Sequence, residues 1–184
     1  IPACYIGRSL IPHDSLVMIT NNQPEPTLLV IGYVWPEPNS SAAGAHMLSL
    51  LRLFKQNQWR VIFATPAQQT EHNLDLATEQ IESVEITLND SAFDQYIADL
   101  QPAAVLFDRF LTEEQFGWRV AENCPNALRI LDTEDLQCLR GARHQAHKQS
   151  REFEVNSLHT DLAMREISSI YRCDLSLIIS DYEV

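Results

Sequence analysis

The run Leu28-Leu29-Val30-Ile31-Gly32-Tyr33-Val34 is almost unbroken in apolar character. A strand with one wet face would alternate apolar and polar residues. A continuous run is the mark of a strand buried on both faces of a parallel sheet. Pro36 and Pro38 end it, and a polar loop reaches Gly44. Met47, Leu50, Leu51 and Phe54 then recur at helical spacing, which predicts an amphipathic helix over 43–57. Arg60 to Ala64 reads as a second strand closed by Pro66, residues 70–80 as weakly helical, and Val84 to Leu88 as a third strand. Asp90 caps a helix bearing Phe93, Ile97 and Leu100, stopped by Pro102.

Ala103 to Phe107 is the fourth strand. Thr112 with Gln115 spells a capping box, with Leu111 and Phe116 as its hydrophobic staple, for a helix ending near Asn123. Ala127 to Leu131 is a fifth strand; Leu162, Ile167 and Ile170 mark a further helix, and Leu175 to Ile179 a sixth strand. The alternation predicts an α/β fold: a Rossmann-like, doubly wound, mostly parallel sheet with helices on both faces. Ligands of such sheets lie at the carboxyl ends of the strands, where the strand order reverses.

The 184 residues suit one domain, expected over 28–184, preceded by a lead-in or linker over 1–27 that holds four prolines. The first residue is Ile1, so the chain is expected to be a piece of a longer one. Hydrophobic residues at 45% and charged residues at 21% exclude a largely disordered chain. Thirteen basic against 25 acidic residues give a net charge of −12, from which no nucleic-acid partner is expected. The longest apolar stretch, Leu28 to Trp35, falls far short of the ~20 residues that cross a bilayer. No signal peptide opens the chain, and a cytoplasmic location follows as the expectation.

The five glycines write neither G-x-G-x-x-G nor a P-loop, which removes the usual cofactor fingerprints. Cys4, Cys124, Cys138 and Cys173 form no C-x-x-C pair, which argues against structural zinc and dithiol redox chemistry and suits a reducing compartment. Neither G-x-S-x-G nor H-E-x-x-H occurs. The first strand also lacks the acidic pair of a phospho-receiver domain.

Three constellations are candidates for chemistry. The loop Trp35 to Gly44 occupies the place where a doubly wound fold holds a phosphate or sugar against free helix N–H groups. Asn39, Ser40 and Ser41 offer hydrogen bonds to it; the alternative is a Pro-rich turn with a Ser N-cap. The fourth and fifth strands end in carboxylates, Asp108-Arg109 and Asp132 with Glu134 and Asp135. Such acids act as general bases or orient hydroxyls, or they cap the next helix, with Arg109 neutralising Asp108. Residues 140–151 carry Arg140, Arg143, Lys148, Arg151, His144 and His147 and no acid. That segment suits an anionic target, including an anionic membrane surface, or else is a solvated stretch pairing with the chain's own acids. His144 and His147 have a metal-pair spacing, but the neighbouring cations repel a metal and none is expected.

"WPEPNSSAAGAHMLSLL" with "WRVIFATP", "RILDTEDLQCLRGAR" and "DLSLIISDYE" together resemble the N-terminal half of bacterial GT-B glycosyltransferases that build surface polysaccharides. The resemblance covers about residues 28 to 183. It implies an acceptor-binding domain, with nucleotide sugar held by a C-terminal domain that this chain lacks, and with no cofactor or metal of its own. It assigns Asn39, Ser40, Ser41, Gly44 and His46 to the interdomain cleft. It assigns Asp108, Asp132 and Asp135 to the acceptor side as the catalytic candidates, and lets Arg109, Arg140 and Arg143 approach acceptor or phosphate. The acceptor would be a carbohydrate or a lipid-linked sugar, and this piece alone would be inactive. Family members carry His where this chain has Gln137. A non-catalytic binding domain and part of a sugar-nucleotide epimerase are the alternatives.

Overall fold

The computed structural model describes residues 25–183. The expected lead-in lies outside them, apart from residues 25–27. Six strands form one all-parallel sheet: β1 (Thr27–Ile31), β2 (Arg60–Thr65), β3 (Glu82–Glu85), β4 (Ala104–Asp108), β5 (Leu128–Asp132) and β6 (Leu175–Leu177). Their order across the sheet is β3-β2-β1-β4-β5-β6, a doubly wound Rossmann-like α/β plan. The helices are α1 (Ala42–Gln56), α2 (Ala92–Leu100), α3 (Arg109–Asn123), α4 (Gln137–Lys148) and α5 (Asp161–Arg172).

Alternate residues of the central strands feed two separate cores. Leu28, Val30 and Phe63 pack with Met47 and Leu51 of α1. Leu29, Ile31, Ile62, Val105 and Phe107 pack with Phe93 and Ile97 of α2 and with Phe116 and Val120 of α3. Burial on both faces is the reason β1 shows no polar alternation. Each fully buried Leu, Ile or Phe contributes roughly 1.5–3 kcal/mol. Gly32 follows β1 where a Cβ would lie 2.1 Å from the Phe63 ring, so any side chain there displaces that ring.

Several expectations need correction. The capping box at Thr112 is absent: α3 starts at Arg109, and the Thr112 hydroxyl donates back to the carbonyls of Asp108 and Arg109. Residues 70–80 yield one 3-10 turn, Leu76–Glu79, and β3 begins two residues earlier than the apolar pattern suggested. Residues 137–148, read only as a polar interval, form α4. In α5 the inward face is Ala163, Glu166 and Ser169, with Ile170 half-buried against the core, while Leu162 and Ile167 face outward.

The reason for that inversion is Glu166. Its carboxylate, 1% exposed, accepts the amides of Gln137 and Cys138 at 2.9 Å each and so caps the N-terminus of α4. Charge-assisted bonds of this kind satisfy helix-end donors and match the helix dipole.

Candidate functional site

The chain leaves β1 toward α1 on one sheet face, whereas it enters β4 from α2 on the other. A crevice opens between the carboxyl ends of these two adjacent strands. A cleft of about 250 Å³ lies there, lined by Val34, Trp35, Glu37, Ser41, Gly44, Met47, Asp108, Arg109 and Glu134 among others.

The loop after β1 is built for close approach. Ser41 is the N-cap of α1, its hydroxyl accepting the Gly44 amide at 3.0 Å. A Cβ on Gly44 would lie 2.6 Å from the Glu37 carbonyl carbon, so only glycine lets the helix start rest on that backbone. The Trp35 indole donates to the Ala67 carbonyl at 2.8 Å, which fixes the apolar wall of the cleft.

Asp108 closes β4 but does not cap α3. Its Oδ2 instead accepts the Tyr33 amide at 2.9 Å, tying the β1 loop to the end of β4. Its Oδ1 is buried without a hydrogen-bond partner, and Arg109 Nε stands 3.6 Å away. Burial pushes the Asp108 carboxyl above the ordinary range against the Tyr33 amide and Arg109, and Asp132 adds to the rise. The Arg109 guanidinium lies over the Tyr33 ring, 5.2 Å from its centroid.

Asp132 is the register partner of Asp108 on β5 and is fully buried. His46, on the second turn of α1, reaches its carboxylate with Nε2 at 3.1 and 3.3 Å. The Glu134 amide is 3.4 Å from Asp132 Oδ1. Burial first, then the charges of Asp108 and Asp132, push the Glu134 carboxyl upward. Arg109 and Glu134 both hold positive φ, 72° and 59°, a left-handed conformation that costs a non-glycine residue about 1 kcal/mol or more. Gln58, Gln80, Asn89, Gln101 and Ser150 hold positive φ elsewhere, but Arg109 and Glu134 are the two that line this cleft.

The residues singled out in the sequence thus divide. Asp108, Arg109, Ser41 and Gly44 line the cleft, and the His46–Asp132 pair stands behind Glu134. Asn39 and Ser40 are exposed on the turn before α1. Asp135 is drawn away to Arg140 at 2.8 Å, and Arg143 donates to the Tyr182 carbonyl at 2.9 Å, so neither arginine lines the cleft. Segment 140–151 is mostly α4 rather than a loose arm. Glu134 had no separate role in the sequence reading. Its φ, which sets its direction, leaves no mark in the sequence.

No protein-family model matches this chain, and no curated protein matches it. Among solved structures it is similar to an alpha-glucosyltransferase in complex with UDP and a 13-mer DNA containing a HMU base. The two share 10% identity with a TM-score of 0.47, over 83% of this chain. The chain spans 37% of the length of that protein. The expectation that excluded nucleic acid is corrected by this finding, because that glucosyltransferase is in complex with DNA as well as UDP. Net charge describes the whole surface and not the crevice, so −12 is no ground for the exclusion. No helix among the described residues is long and apolar enough to cross a membrane.

Proposed function

We propose that this chain is the acceptor-side half of a GT-B glycosyltransferase, which moves a sugar from a nucleotide donor held by a second domain. The observation that carries the reading is the cleft at the strand-order reversal. It has an apolar wall of Trp35 and Met47 and a charged rim of Asp108, Arg109 and Glu134. Carboxylates on such a rim accept hydrogen bonds from sugar hydroxyls, and an adjacent guanidinium serves hydroxyl or phosphate oxygens. The acceptor is a carbohydrate or a lipid-linked sugar. Catalysis in this arrangement is positioning of the acceptor hydroxyl and exclusion of water on domain closure.

Saturation-transfer NMR on the 184-residue chain tests the reading against oligosaccharides, a lipid-linked sugar in detergent, a short DNA duplex and nucleotide sugars. A saccharide acceptor should bind, and Arg109→Ala and Glu134→Gln should each weaken it about tenfold or more. Binding of DNA alone would replace the acceptor class. Turnover of a nucleotide sugar by this chain, or binding of no acceptor, would overturn the proposal.

A further inference from the structure

We propose that His46, Asp132 and Glu134 form a binding site for a divalent metal ion of the Zn²⁺ class, next to the cleft that Glu134 lines. One imidazole nitrogen and two carboxylate oxygens lie within 4.8 Å of one another. They come from three separate places: α1, the end of β5 and the loop that follows it. His46 Nε2 and Asp132 Oδ2 are hydrogen-bonded at 3.1 Å, and a shift of a few tenths of an ångström opens them to the about 3.4 Å that separates two ligands with tetrahedral bonds of 2.0–2.2 Å. Glu134, at the cleft rim, supplies the third ligand atom within that 4.8 Å. A nitrogen-plus-two-carboxylate donor set suits Zn²⁺ and its first-row neighbours better than Ca²⁺, which takes six to eight oxygens.

The charge balance points the same way. Asp108, Asp132 and Glu134 bring three carboxylates to the ends of adjacent strands, and Arg109 offsets one of them. Asp132 is wholly buried, yet its partners are the His46 ring and the Glu134 amide rather than an arginine or lysine. Beside it, Asp108 buries an oxygen with no hydrogen-bond partner. Buried carboxylates are ordinarily paired or bound to metal. A divalent ion at this point, bound by neutral His46, compensates the charge of the Asp132 and Glu134 carboxylates. Three protein ligands leave a fourth position for water or a ligand hydroxyl, as in open zinc sites. The metal site stands on these residues and does not depend on glycosyl transfer.

Isothermal titration of the untagged, EDTA-stripped 184-residue chain with Zn²⁺ alone tests it. One ion should bind per chain, with His46→Gln and Glu134→Gln each weakening it by about 100-fold or more. His147→Ala, on exposed α4, should change nothing. NMR of the wild-type chain keeps the test independent of variant folding, since the His46 ring resonances should shift or broaden on saturation with one equivalent. Absence of binding, binding undiminished in both variants, or an unmoved His46 ring would overturn the proposal. Metal binding without acceptor binding would leave this site standing while the transferase reading fell.

Discussion

Asp108 at the end of β4 accepts the backbone amide of Tyr33 in the loop just after β1, so one carboxylate ties together the exits of the two strands between which the sheet reverses its order. The bond satisfies one oxygen and leaves the other buried without a hydrogen bond, 3.6 Å from Arg109 Nε. Asparagine keeps an acceptor for Tyr33 and removes the buried charge. Asp108→Asn should therefore raise Tm at pH 7, in EDTA, by several degrees; roughly 1 kcal/mol moves a domain of this size by 2–4 °C. The Asp108 carboxyl is raised in the folded state, so its protonated form stabilises the fold at low pH. That stability is lost as pH rises through the folded-state value. The advantage of the Asn variant should accordingly shrink as pH falls toward 4 and be absent below it, which calorimetry across pH 3.5–8 would read.

Glu134 holds φ at 59°, where glycine sits without penalty. Glu134→Gly should stabilise the fold by about 1 kcal/mol in urea titrations. The same change should remove Zn²⁺ binding, so stability and binding move in opposite directions.

Gly44 rests against the Glu37 backbone, which cannot yield as a flexible side chain would. Gly44→Ala should cost about 1–3 kcal/mol despite the better helix propensity of alanine. A gain in stability would show that the loop gives way.

Glu166 caps α4 through the amides of Gln137 and Cys138. Glu166→Ala should cost about 2–3 kcal/mol and speed hydrogen exchange at those two amides selectively. Glu166→Gln, which retains one acceptor, should cost less.

Burial, with the Glu166 carboxylate beside it, pushes the Cys138 thiol up to about 12, and burial with Glu113 does the same for Cys173. At pH 8 both should alkylate with iodoacetamide on the order of 1000-fold more slowly than an ordinary thiol. Peptide-resolved mass spectrometry would show it, and comparable labelling of either cysteine would refute it.

The sheet was legible because β1, β2 and β4 carry their burial in unbroken apolar runs such as Leu28–Ile31 and Val105–Phe107, which no tertiary partner needs to explain. Asp108 and Asp132 were legible as site candidates for the same reason: each is the first acid after such a run. Leu162, Ile167 and Ile170 mark α5 as a helix, but only Ile170 turns to the core, because Glu166 takes an inward position through a bond to another helix while Leu162 and Ile167 sit on the outer side. The start of α3 was misread because Arg109 enters the helix through a left-handed conformation, and Thr112 then bonds backward inside it. The His46–Asp132 pairing joins residues 86 apart in the chain and is set by the seating of α1 over the sheet. Periodicity describes each element by itself and does not report such a meeting.

The carboxylate that Glu166 lends to α4 has a consequence for any negatively charged guest. Exposed helix amides are the natural cradle for phosphate, but the protein has already plugged this one from within. A phosphate meets the Gln137 and Cys138 amides already taken by a carboxylate of its own sign.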